Sequence, residues 1–289
     1  MSDTSYPRRL VEITGERGRL CVGIDPHPGL LRAWGLSTDA NGLERFARTL
    51  VEAVGSRVAV FKPQSAFFET YGSAGIAVLE RVLTDLRDVG ALSLLDVKRG
   101  DIGSTMDAYA AAYLSDGAPL AADAITVSPY LGFGSLDGAI ELAASTGRGV
   151  YVLALTSNPE GPQVQHARTV DGRMVGQAIL DEVAARNTPA SWSGEGRAGA
   201  ELGHVGVVVG GTIGRTGADF SRVNGSILVP GIGAQGAGAQ DLDDVFGPAK
   251  DLVLPSSSRE ILRAGPDPEA LRRAVDRAQA AISRVIAVG

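Results

Sequence analysis

What most constrains this chain is a rhythm. Short apolar or β-branched runs recur eight times, at residues 20–24, 58–61, 91–97, 124–128, 149–155, 204–209, 226–230 and 251–255. Each run is nearly continuous rather than alternating, which is the pattern of parallel strands covered on both faces. Helical stripes lie between them: Leu43, Phe46, Leu50 and Val54 on one, Ile76, Leu79, Leu83 and Leu86 on another. After the eighth run, Leu271, Val275, Ile282 and Val285 mark a closing helix. Pro268 suits its first turn, and Gly265-Pro266 sets it apart from what precedes. Eight such units in 289 residues have the size and rhythm of a closed (β/α)8 TIM barrel, and the regular repetition favours closure over a doubly wound open sheet. The expectation is a single barrel domain over residues 1–289. One connection is irregular. Residues 158–203 join the fifth and sixth runs with a helix-like piece near 175–186 and then a Gly/Ser stretch at 191–199. The segment has too few apolar residues for a core of its own, so it reads as an inserted surface excursion or lid within the barrel.

Composition narrows the function classes. Apolar residues make up 44% and charged residues 21%, as in a globular protein with a substantial core. A net charge of −6 argues against a general nucleic-acid or anionic-membrane surface, while leaving room for a local basic pocket. The single cysteine, Cys21, excludes an internal disulfide, and its apolar neighbours Leu20 and Val22 point to a buried thiol. His27, His166 and His204 are scattered, without metal-ligand spacing. The N-terminal stretch lacks an apolar signal core, and no run approaches the roughly 18 apolar residues of a membrane span. A cytoplasmic location is the default expectation.

The chemistry concentrates at the end of the third run, Leu94-Leu95-Asp96-Val97-Lys98-Arg99-Gly100-Asp101. Residues two apart on a strand share a face, so Asp96 and Lys98 should project together. Asp101, in the following turn, is expected close enough to touch the same ammonium, and a lysine between carboxylates stays protonated. Of 27 basic residues only Lys62, Lys98 and Lys250 are lysines, and two of these sit at strand ends. Arginine evidently serves where charge alone is needed. Lysine, unlike arginine, can deliver a proton.

In such a barrel the active site lies at the C-terminal ends of the strands. Those ends carry Asp25, Lys62, the Asp96/Lys98/Asp101 cluster, Ser128-Pro129, Thr156-Ser157-Asn158, Gly210-Gly211, a Gly-rich loop over 231–238, and Ser256 to Arg259. Strand ends seven and eight are the usual phosphate site of the fold. Here a Gly-rich loop, a Ser-rich helix start and the bidentate donor Arg259 meet there. The expected ligand is therefore a phosphate monoester lying across the mouth, its reacting part against the third strand. Asp25 and Lys62 would then lie near sugar hydroxyls, and Ser157 near a polar head group such as a base edge. Asp25 before Pro26 could instead be a cap, and Ser157 and Asn158 could simply form a turn before Pro159.

These residues resemble those of the orotidine 5′-phosphate decarboxylase family. Gly-Ile-Asp25-Pro resembles its first-strand Asp, and Phe-Lys62-Pro-Gln its second-strand Lys. Asp96-Val-Lys98-Arg-Gly-Asp101-Ile resembles its Asp-x-Lys-x-x-Asp-Ile signature, with Thr105 at the spacing of a helix Thr. Pro-Gly-Ile-Gly233-Ala-Gln235-Gly resembles its phosphate loop, and Ser258-Arg259 its strand-eight Arg. Ser-Asn-Pro after the fifth run is similar to the longer bacterial branch, whereas residues after Asn158 receive no role from the resemblance. The resemblance implies a TIM barrel that decarboxylates orotidine 5′-phosphate to UMP, the last step of de novo pyrimidine nucleotide synthesis, without a cofactor or metal. Lys98 would stabilise the developing carbanion and protonate C6, Asp96 would crowd the substrate carboxylate, and Lys62 and Asp101 would complete the charge array. Asp101 and Thr105 would reach into a neighbouring subunit's site, which implies a homodimer.

Other readings compete. A sugar-phosphate decarboxylase or aldolase using a Mg²⁺-stabilised enediolate would place a Glu ligand near the second strand end, where this chain has Lys62. A Schiff-base aldolase needs a neutral amine, and flanking carboxylates push Lys98 the other way. A non-catalytic nucleotide sensor would have no need of the Asp96–Lys98–Asp101 cluster.

Overall fold

The apolar runs become strands because burial on two sides leaves no place for polar alternation. In the computed structural model, which describes residues 5–188, 202–231 and 239–286, they are β1 (Cys21–Ile24), β2 (Val60–Pro63), β3 (Leu92–Arg99), β4 (Ala124–Val127), β5 (Gly149–Leu155), β6 (Val205–Val209), β7 (Ile227–Pro230) and β8 (Val253–Ser257). The strands pair in parallel in chain order, and β8 returns to β1 with Cys21 opposite Ser256. The result is the closed (β/α)8 barrel expected from the sequence, with strand edges displaced by a residue or two.

Alternation within each strand divides the core into two parts. Cys21, Val60, Leu92, Leu94, Ala124, Tyr151, Val208, Leu228 and Leu254 pack inside the barrel. Val22, Phe61, Leu95, Ile125, Val150, Val152 and Val207 pack outward against the helices. Among those helices, Ala40–Val54 buries Leu43, Phe46, Leu50 and Val54 completely. Its first turn is fixed by Asp39, whose carboxylate accepts the Gly42 N–H at 2.9 Å. The closing helix Pro268–Ser283 is capped in the same way, by Asp267 on the Ala270 N–H. Truncating a fully buried ring such as Phe46 to alanine would cost about 3–5 kcal/mol.

The N-terminal helix Tyr6–Arg17 closes the end of the barrel opposite the mouth. Tyr6 enters the lumen, where its hydroxyl lies 3.0 Å from that of Tyr151 and the two rings meet edge to face. Gly149 permits this approach, since a Cβ there would stand 2.5 Å from the Tyr6 ring. Arg9 fastens the helix by bonds to the Asp123 carboxylate and the Gly147 carbonyl, just before β4 and β5.

Two connections depart from a plain strand–helix rhythm. Between β5 and β6, a short helix Gly161–Gln165 and a bridge between Arg168 and Met174 lead into the helix Val175–Asn187. That helix buries Leu180 and Val183 and packs on β5 and β6 as part of the helix layer. Between β6 and β7, residues 210–226 form no helix. Gly210, Gly211, Gly214 and Gly217 make one costly there, and Phe220 and Val223 anchor the segment by burial instead.

Candidate active site

Three charged side chains meet where β2 and β3 open into the mouth. Asp96 is central and almost wholly buried, and each of its oxygens is bound to a different lysine. Lys62 Nζ donates to Oδ2 at 2.9 Å, and Lys98 Nζ donates to Oδ1 at 2.5 Å. Burial alone would raise the Asp96 pKa, but the Lys62 and Lys98 ammoniums outweigh it and hold the carboxyl at about 2. Burial would likewise strip the proton from Lys62. The Asp96 and Asp25 carboxylates reverse that effect, and its pKa stands above the ordinary lysine value. The two lysines differ in access: the Lys62 side chain is 9% exposed and that of Lys98 46%. One ammonium is built into the wall, whereas the other faces the opening.

The backbone that presents Lys98 is not plain strand. Leu95 pairs with Ile125 and Arg99 with Val127, so residues 96–98 of β3 stand opposite Thr126 alone. Lys98 itself has φ +46°, in the left-handed region, at a cost of about 1–3 kcal/mol for a residue with a side chain. The Thr126 hydroxyl, buried in the barrel, accepts the Lys98 N–H at 3.0 Å and donates to Asp96 Oδ1 at 2.8 Å. Gln64, bridged to Asp96 through the backbone, accepts a weaker bond from Lys62 Nζ at 3.3 Å. Sequence reasoning missed Thr126 and Gln64. Thr126 does fall on the inward face of β4, at the level of Asp96, so strand alternation carried a signal for it.

The expectation for Asp101 needs correction. Within the chain it does not reach the Lys98 ammonium; its carboxylate instead accepts the Ile102 N–H at 2.8 Å. Asp101 was expected in the turn after the strand, but the left-handed backbone at Lys98 leaves its carboxylate on the turn's own N–H. The lysine flanked by two acids is Lys62, between Asp96 and Asp25. Thr105 lies exposed on the helix Gly103–Leu114 that follows.

Asp25, at the end of β1, carries a buried Oδ1 with no hydrogen-bond partner among the described residues. It does not cap the next helix, a role taken by His27 Nδ1 on the Gly29 N–H. Ser157 is exposed after β5, next to a loop tied by Gln165, which binds both the Thr156 N–H and its hydroxyl. Arg259 is exposed at the start of the short helix Arg259–Leu262, after β8. Gly233 and Gln235 lie outside the described residues. Cys21 is fully buried, and burial raises its thiol pKa to about 12, so it behaves as a packing residue. Among the described residues, no three His, Cys, Asp or Glu side chains converge as a metal-binding group.

Chemically, the array offers one accessible ammonium beside a buried carboxylate that stays charged at neutral pH. Comparisons with known proteins agree in direction. The model of the Orotidine 5′-phosphate decarboxylase / HUMPS family matches residues 18–274. The orotidine 5′-phosphate decarboxylase of Salinispora tropica is 61% identical over 273 residues, covering 94% of this chain and 95% of the relative. That of Streptomyces coelicolor is 56% identical over similar spans. Among solved structures, one from Streptomyces avermitilis, with the same enzyme designation in provisional form, superposes with TM-score 0.92 at 55% identity and covers 99% of this chain and 98% of its own. Leishmania donovani OMP decarboxylase superposes with TM-score 0.71 at 30% identity, covering 96% of this chain and 98% of its own.

Proposed function

The chain belongs to the orotidine 5′-phosphate decarboxylase / HUMPS family, and we propose that it converts orotidine 5′-phosphate to UMP in pyrimidine nucleotide synthesis, with Lys98 as the proton donor. The observation that carries this reading is the Lys62–Asp96–Lys98 array, in which one carboxylate pins two ammoniums at the mouth. In the reaction the bond from C6 to the carboxylate breaks, CO₂ leaves, and the electron pair remains on C6. The Lys98 ammonium stabilises that charge and transfers a proton to the carbon, and the resulting amine regains a proton from water. Because Asp96 already fixes the ammonium, little reorganisation accompanies the appearance of the anion. Asp96 also stands where the departing carboxylate would feel its charge, a smaller contribution. A buried ammonium at Lys62 disfavours the Mg²⁺-enediolate alternative, since that position would sit beside the divalent ion.

The rest of the ligand follows the mouth. The unpartnered Asp25 oxygen suits a sugar hydroxyl, Ser157 the base edge, and Arg259 with Gly233 and Gln235 of the Gly-rich loop the phosphate. The whole chain would act as one barrel domain with residues 158–203 as an excursion inserted within it; its helix Val175–Asn187 joins the helix layer, and its Gly/Ser stretch at 191–199 lies outside the described residues. No helix among the described residues is long and apolar enough to cross a membrane, and a cytoplasmic enzyme with no nucleic-acid partner fits the acidic balance. A homodimer is supported by Ile102, Tyr130 and Leu131, exposed at 62%, 79% and 52% in adjacent loops after β3 and β4. Covering that patch with a second copy would bring Asp101 and Thr105 toward the partner's site and supply the second acid that Lys98 lacks within its own chain.

The test is direct. Purified protein incubated with orotidine 5′-phosphate should show loss of pyrimidine absorbance, unaffected by EDTA. Lys98→Ala should abolish turnover while retaining UMP binding, because the phosphate grip is remote from the donor. Comparable rates in the variant and the parent would remove Lys98 from the chemistry. EDTA inhibition reversed by Mg²⁺ would favour the enediolate reading.

A further inference from the structure

We propose that Thr126 is a positioning residue for decarboxylation, holding Lys98 in its left-handed conformation and fixing the ammonium against Asp96; this rests on the role just given to Lys98. Three residues of β3 oppose one residue of β4, so the regular ladder offers no backbone acceptor at Lys98. The Thr126 hydroxyl takes that place, accepting the Lys98 N–H at 3.0 Å. Its own hydrogen is committed to Asp96 Oδ1 at 2.8 Å, the same oxygen that receives the Lys98 ammonium at 2.5 Å. One hydroxyl therefore ties the backbone of the donor residue to the carboxylate that orients its side chain. The residue is 1% exposed, so water cannot readily replace it. Without that hydroxyl, the Lys98 N–H is left without its acceptor in a conformation that already carries strain, and the turn relaxes. Lys98 then loses alignment with C6, while the phosphate and sugar contacts, on other strands, persist.

The experiment measures kcat and KM separately for Thr126→Val, which keeps the shape, and Thr126→Ser, which keeps the hydroxyl. Thr126→Val should lose about 10- to 100-fold in kcat, the effect of displacing a reacting group by an ångström or less, with KM little changed. Thr126→Ser should restore kcat to near the parental value. Parental kcat in Thr126→Val, or equal losses in the Val and Ser variants, would overturn the proposal, the latter by showing that packing of the methyl group is what matters. If Thr126→Val fails to fold, Thr126→Cys, of similar volume but a weaker donor, should fall between Ser and the Val expectation, and parental kcat there would overturn it equally. Lys98→Ala measured in parallel separates the two failures. Turnover in Lys98→Ala would remove the underlying reading, whereas an inactive Lys98→Ala beside a fully active Thr126→Val would remove only the role of Thr126.

Discussion

Replacing Asp96 with asparagine keeps the side chain's size and removes the charge that two lysines share. Lys98 is half exposed and can turn to water, but Lys62 cannot. Breaking a buried pair by neutralising one partner costs about 3–5 kcal/mol, and the lower end applies here because Asp25 still acts on Lys62 and the lysine can give up its proton. Burial acts on Lys62 more strongly than Asp25 does. Once Asp96 is neutral, burial prevails and the Lys62 pKa falls below its unfolded value of ~10.4. The unfolded chain then binds the extra proton, so the variant gains about 1.4 kcal/mol per pH unit between the two pKa values. The parent behaves oppositely. Its raised Lys62 contributes stability that is present below about pH 10.4 and lost above it, and its depressed Asp96, at about 2, contributes stability present above about pH 4 and lost as pH falls toward 2. Calorimetry at pH 7.5 and 9.5 should therefore show the variant melting about 6–12 °C below the parent at the lower pH, with the gap narrowing at the higher. Equal midpoints at pH 7.5, or a gap that does not narrow, would refute the account of Lys62 as a buried cation dependent on Asp96.

Other outcomes are equally specific. Arg259→Ala should weaken binding of UMP by about 10- to 100-fold while leaving uridine nearly unaffected, as loss of a charge-assisted bond to phosphate requires; titration of both ligands checks this, and equal losses would take Arg259 out of the phosphate site. Mixing inactive Lys98→Ala and Asp101→Ala proteins should regenerate about a quarter of parental activity, since half the dimers are mixed and each holds one complete site. No recovery after subunit exchange would argue that Asp101 does not act across an interface.

The barrel was legible because its determinants are local and repeated. Val60, Phe61, Leu94, Leu95 and Val207 each sit in a run whose neighbours carry the same message, and stripes such as Leu43–Phe46–Leu50 state the helix face without ambiguity. The pairing of Asp96 with Lys98 was legible for the same reason, by spacing along a strand. The geometry of the turn was not. Nothing near Lys98 announces a left-handed residue, because the cause is a three-to-one register against Thr126, 28 residues further along the chain and visible only once β3 and β4 are paired. Asp101 was misplaced by the same ignorance of the turn. Tyr6 as a lumen residue was hidden too, since its partners Tyr151 and Gly149 lie far along the chain.

That tyrosine plug has a consequence for how the molecule can change. Its hydroxyl partner Tyr151 packs with Val60, Leu94, Val208 and Leu228 inside the barrel and stands opposite Thr126 in the register of β4 and β5. The floor and the rim therefore adjoin at one pair of neighbouring strands, where Tyr151 lies beside the residue that binds Lys98 and Asp96. A repair to the foundation that displaces Tyr151 would be felt by the hydroxyl beside the lysines, so ruggedness and electrostatics are not tuned independently here.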